Sequence, residues 1–121
     1  MSQQRIGGIV YIRVNGELLQ AKGAFSYNLG APKREALMST TGVAGFMEKP
    51  QVPYIEGEIY HTANLDLPAL QRIVDATITC ELANGQTVVL KEGWYAADGT
   101  GNSEEGGVEA RFEGTSAELI S

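Results

Sequence analysis

The feature that most constrains this chain is an alternation of apolar and polar residues that breaks twice at Asn-Gly. Across 9–14, Val10, Ile12 and Val14 fall on one face and Ile9, Tyr11 and Arg13 on the other. A period of two in β-branched and aromatic residues is the pattern of a strand, because successive side chains leave a pleated backbone on opposite sides. Asn15-Gly16 follows at once and leads into Glu17-Leu18-Leu19-Gln20. Both turn residues tolerate the positive φ of a type I′ turn, so the segment predicts a hairpin. The cleanest strand spans 76–82. Ala76, Ile78, Cys80 and Leu82 point one way and Thr77, Thr79 and Glu81 the other, before Asn84-Gly85 repeats the signal and 87–95 returns.

Further strands are expected over 24–29, 52–60 and 108–113. In 52–60, Ile55, Gly57 and Ile59 share one face, and Tyr54, Glu56, Glu58 and Tyr60 the other. The only good helix candidate is 64–74, with Asp66 placed to cap, Pro68 tolerable in the first turn and Leu67, Leu70, Ile73 and Val74 on one side. The stretch 31–50 has no clean period and reads as a long loop, although Leu37, Met38, Val43, Phe46 and Met47 are too apolar for a solvated linker. A second loop runs through 98–107, and 115–121 reads as a short strand or a frayed end. Six or so strands, one short flanking helix and one long loop make a mainly β chain, an antiparallel sandwich or barrel. With 121 residues, enough for one domain and too few for two ordinary ones, positions 1–121 are expected to form a single domain.

Composition narrows the function. Fifteen acidic residues face nine basic ones, a net charge of −6, which argues against a surface built to grip phosphates. The same sign on a wall would repel a nucleic acid passing it. Cys80 is the only cysteine, so an intrachain disulfide is excluded and a reducing compartment fits. No apolar run has the length of a signal peptide or membrane span, and the cytosol of the producing cell is the expected compartment.

Chemistry is sparse. His61 is the single histidine and has no second histidine or cysteine partner for a zinc set. Cys80 falls on an apolar strand face, as a buried inert thiol would. Asp98, Thr100, Asn102, Glu104 and Glu109 have calcium-loop offsets, but Ser103 stands where the loop needs glycine and no helices flank it. Gly99-Thr100-Gly101 lies outside any strand-to-helix turn and makes no phosphate cradle. Glu56, Glu58, Glu81, Glu109 and Glu113 could pair as an acid/base dyad, but charged strand faces are far more often solvated. No cofactor or metal is implied, and no Gly-x-Ser-x-Gly elbow is present.

Several segments, in order, carry a likeness: Gly-Ile-Val-Tyr-Ile-Arg-Val-Asn-Gly-Glu-Leu-Leu (8–19), Ala-Lys-Gly-Ala-Phe-Ser-Tyr-Asn-Leu-Gly (21–30) and Pro-Lys-Arg-Glu (32–35). Gly-Phe-Met-Glu-Lys-Pro-Gln-Val-Pro-Tyr-Ile-Glu-Gly-Glu-Ile (45–59), Leu-Asp-Leu (65–67), Leu-Ala-Asn-Gly-Gln-Thr-Val-Val-Leu (82–90) and Arg-Phe-Glu-Gly (111–114) continue it. Over nearly its whole length the chain resembles the tail tube proteins of Mu-like contractile-tailed phages, related in fold to the type VI secretion tube protein. The resemblance implies a structural subunit with no catalytic residues. Its hexameric rings would stack into a hollow tube inside a contractile sheath, with sheath, baseplate and tail terminator proteins as partners. DNA would pass through the lumen without specific binding. Such a protein belongs to the virion tail, or to a tailocin-like particle, and is assembled in the host bacterial cytoplasm.

On that resemblance, the 31–50 loop is the candidate ring-to-ring contact, through Lys33, Arg34, Glu35, Phe46 and Met47. The alternative is a loop folded back on its own domain. Glu56, Glu58 and Glu81 are candidates for an acidic lumen, the alternative being an outward solvated face. Two other classes stay open. A carbohydrate- or ligand-binding β-sandwich could use Tyr54, Tyr60, Trp94 and Tyr95 as an aromatic platform, and an acid-dyad hydrolase would need paired carboxylates in a pocket.

Overall fold

The computed structural model describes residues 11–104 and 106–121, apart from the side chain of Asn102. Ile9 and Val10 of the first expected strand lie outside the described residues. In chain order the elements are β1 (Tyr11–Val14), β2 (Glu17–Leu19), β3 (Ala21–Asn28), β4 (Lys33–Ser39), β5 (Gly42–Lys49) and β6 (Tyr54–Tyr60). The helix α1 (Leu67–Gln71) is followed by β7 (Ala76–Glu81), β8 (Thr87–Tyr95), β9 (Gly101–Asn102), β10 (Gly107–Glu113) and β11 (Ser116–Ile120).

The main sheet runs β2-β1-β7-β8-β10-β6-β3, with β11 added to β8 and β9 to β10. All its pairings are antiparallel. It folds over on itself because β8 serves two layers. The 87–91 half pairs β7 and β11, whereas Trp94 and Tyr95 pair β10. The corner between them is a bulge, where the register shifts between Ala76 and Ile78 and Glu92 adopts φ 53. Extra residues of this kind bend a strand and let it change sheets.

The alternation then closes one core. Ile12, Val14, Ile78, Cys80, Val88 and Leu90 of the first layer meet Ile55, Ile59, Val108, Ala110 and Phe112 of the second, all buried. Tyr95 packs edge-on against Phe112 at 5.6 Å between ring centres, and its hydroxyl donates to the Glu109 carbonyl at 2.5 Å. Gly57 is where β3 closes over β6. A Cβ there would stand 2.7 Å from the Phe25 ring, so the missing side chain makes room for that aromatic to cover the core.

Both Asn-Gly sites turn hairpins, but by different geometry. Asn15 (φ 52) and Gly16 (φ 87) have the paired positive φ of type I′. At the second site only Gly85 (φ 92) is left-handed, and Leu82 N donates to Gln86 O across a three-residue loop. The helix is shorter than 64–74. Asp66 caps it by accepting from Ala69 N, and i→i+3 bonds from Arg72 and Ile73 tighten and end it, leaving Leu70 buried in the core. Residues 116–120 are a strand on β8. The expected loop at 31–50 is instead the β4–β5 hairpin, a two-stranded sheet of its own. Its pairing slips between Leu37 and Met38, where Ala44 is the extra residue, and this breaks the period that would have marked β5.

Candidate assembly interface

The β4–β5 hairpin has no core beneath it. Leu37, Met38, Val43, Phe46 and Met47 are all exposed, with Met38 and Val43 at 69%. The register sorts the side chains. Lys33, Glu35, Leu37, Met47 and Lys49 share one face, and Arg34, Ala36, Met38, Val43, Phe46 and Glu48 the other. Phe46 and Met47, paired in the sequence as anchors of one contact, therefore point to opposite faces. Charges collect at the base. Lys49 meets Glu35 at 3.0 Å, Arg34 meets Glu48 at 3.3 Å, and the Arg34 guanidinium lies 4.6 Å from the Phe46 ring centre. Such exposed pairs contribute little to stability. Two strands alone are marginal in water, so this one survives as an appendage of a folded domain. Lys33, Arg34, Glu35, Phe46 and Met47 are all brought onto it. Leu37, Met38 and Val43 extend its apolar surface.

The acidic candidates are not brought together. Glu56 and Glu58 lie on the outer face of the second layer and Glu81 on the outer face of the first, on opposite sides of the core. Each has a cation close by. Arg111 meets Glu56 at 3.2 Å and Lys22 meets Glu58 at 3.7 Å, while Arg13 donates to Glu81. Arg111 also binds Glu113 at 2.9 Å and lies 4.1 Å from the centre of the Tyr54 ring, which makes it the hub of that face. A lone arginine in an alternating strand gave no sign of this in the sequence.

Of the carboxylates read as possible dyad partners, Glu109 faces Glu58 across the β6–β10 pair and lines a cleft with Glu56 and Thr100, and Glu113 shares Arg111 with Glu56, while Glu81 stays apart. Burial, and secondarily Glu81, push the Cys80 thiol up to about 11, as for an inert core group. Asp98 is held below its ordinary value by the hydroxyl and amide of Thr100, which close a local turn. Tyr95 points into the core, whereas Tyr54 and Trp94 flank Glu113 on the outer face and Tyr60 sits at the far end of β6. The four aromatics thus form no common platform. Among the described residues, no helix is long and apolar enough to cross a membrane.

Comparison with known proteins bears on this architecture directly. A family model described as phage tail tube protein matches residues 3–119. The Mu-like prophage FluMu tail tube protein of Haemophilus influenzae is 31% identical over 93 residues, covering 77% of this chain and 78% of that protein. Among solved structures, the fold is similar to the sheath/tube terminator of PVC, an extracellular contractile injection system, in its extended state. The TM-score is 0.63 at 10% identity, over 100% of this chain and 99% of that one. The tube terminating cap of the anti-feeding prophage gives a TM-score of 0.63 at 8% identity, over 100% and 93%. The two structures share the architecture, while the sequence matches carry the relationship: the chain belongs to the phage tail tube protein family, alongside its Mu-like prophage members.

Proposed function

We propose that this protein is a non-enzymatic structural subunit whose copies form hexameric rings that stack into the tail tube. The tube lies inside a contractile sheath, is bounded by baseplate and terminator proteins, and conducts DNA into the host. The virion tail is its place of work and the host cytoplasm its place of assembly. One observation carries this reading: the β4–β5 hairpin displays large apolar side chains on both faces with no core of its own to bury them. Exposed apolar patches of this kind are found where another protein docks. Among the described residues β2 and β3 have no further strand beside them, which supports it as well, because a closed ring pairs strand edges that would otherwise template aggregation.

For the lumen we favour the face bearing Glu56 and Glu58. With Glu109 and Glu113 it carries four carboxylates against Lys22 and Arg111. On the opposite face Arg13 offsets Glu81 and Lys91 offsets Glu118 at 2.6 Å, so the described residues there carry no excess of charge. A wall with net negative potential lets DNA slide rather than stick.

The test is negative-stain electron microscopy of concentrated protein, with light scattering for mass. Hollow rings or tubes are expected, and Phe46→Asp should abolish stacking while leaving circular dichroism unchanged. A strict monomer that also fails to assemble when co-expressed with its tail genes would overturn the proposal.

A further inference from the structure

The hairpin lies at one end of the sandwich. It leaves β3 after Asn28 and rejoins β6 at Tyr54, and its base is tied by Gln51 Nε2 donating to the Ala31 carbonyl at 2.9 Å. The other ends of the same two strands, Ala21 and Tyr60, open onto a cleft of about 430 Å³ between the β1–β2 hairpin and α1. Val14, Leu19, Leu65, Leu70 and Ile73 supply its apolar lining, and Glu17 and Asp66 stand among its polar residues. Hairpin and cleft are therefore at opposite poles, separated by the seven residues of β6, or about 23 Å at a strand's rise. One chain's hairpin points away from its own cleft.

We infer that this cleft is the receptor for the β4–β5 hairpin of a second copy in the adjoining ring. The inference rests on the tube reading and gives the stacking contact its other half. The hairpin face bearing Phe46, Met38 and Val43 enters the cleft. A cavity of about 150 Å³ already holds a benzene ring, so there is room for the Phe46 ring and a second side chain. Charge agrees with this orientation. Arg34, on that same face, against Phe46 and paired with Glu48 at 3.3 Å, arrives at Glu17, which has no ion pair among the described residues, and takes it as a second carboxylate. Contact between two different patches at opposite poles is heterologous, so it repeats along an axis instead of closing on a dimer.

Two experiments test it. Ala69 is exposed in the cleft lining and Val43 is exposed near the hairpin tip. The double variant Ala69→Cys/Val43→Cys, oxidised as tubes, should give covalent chains longer than two subunits on a non-reducing denaturing gel, whereas each single variant stops at dimers. Tubes that form without such chains overturn the cleft as receptor and leave the tube reading standing. Absence of any assembly in the parent protein, alone and co-expressed with its tail genes, overturns both. Independently, Glu17→Arg and Arg34→Glu should each raise the concentration needed for tubes by about tenfold, and combining them should restore it. A double variant as poor as the single ones overturns the pairing.

Discussion

Glu92 occupies the left-handed region at the corner of β8, with its carboxylate accepting from the Thr115 hydroxyl at 2.5 Å. A non-glycine residue held there carries a strain of about 1–3 kcal/mol. Both Glu92→Gly and Glu92→Val lose the hydrogen bond, so the difference between them isolates the backbone. Urea denaturation should find the glycine variant more stable by about 1–2 kcal/mol, because a β-branched residue tolerates positive φ least. Equal stabilities would mean that the corner relaxes. Cys80 offers a second local probe. Its thiol is buried and pushed up to about 11, so the folded protein at pH 8 should resist alkylation by iodoacetamide, with labelling appearing only as denaturant opens the core. Rapid labelling of the native protein would show that the first layer breathes locally.

At the scale of elements, strands with one wet and one buried face were legible because burial imposes the period that sequence displays. β7 and β10 show it directly, with Ala76, Ile78 and Cys80 buried in one and Val108, Ala110 and Phe112 in the other. The cap at Asp66 was legible for a similar reason, since one side chain does the work. The hairpin was not. With neither face on a core its residues carry no polarity contrast, and the extra residue Ala44 shifts the phase of what remains. Likewise the division of Glu56 and Glu58 from Glu81 between layers depends on long-range pairing that no local pattern encodes. The hairpin's independence is itself testable. No core residue comes from it, so replacing residues 33–49 with a short Gly-Ser link should move Tm by less than about 4 °C, under ~1 kcal/mol, while abolishing tubes. A large loss of stability would mean that the hairpin packs on its own domain.

For the whole molecule, the decisive property is direction. A folded Phe46→Asp subunit keeps its cleft and lacks a working hairpin. Added to wild-type protein at a small mole fraction, it should shorten tubes in electron micrographs without reducing the number of rings. Unchanged length distributions would mean that the variant is excluded from growing ends altogether. The sandwich with a projecting hairpin at one pole and a cleft at the other is an arrow, and arrows laid nose to tail keep their heading. If the subunits stack as proposed, the filament has two chemically distinct tips, one offering hairpins and the other clefts. Starting and stopping its growth are then separate recognition problems, each soluble by a protein that copies only one half of the joint.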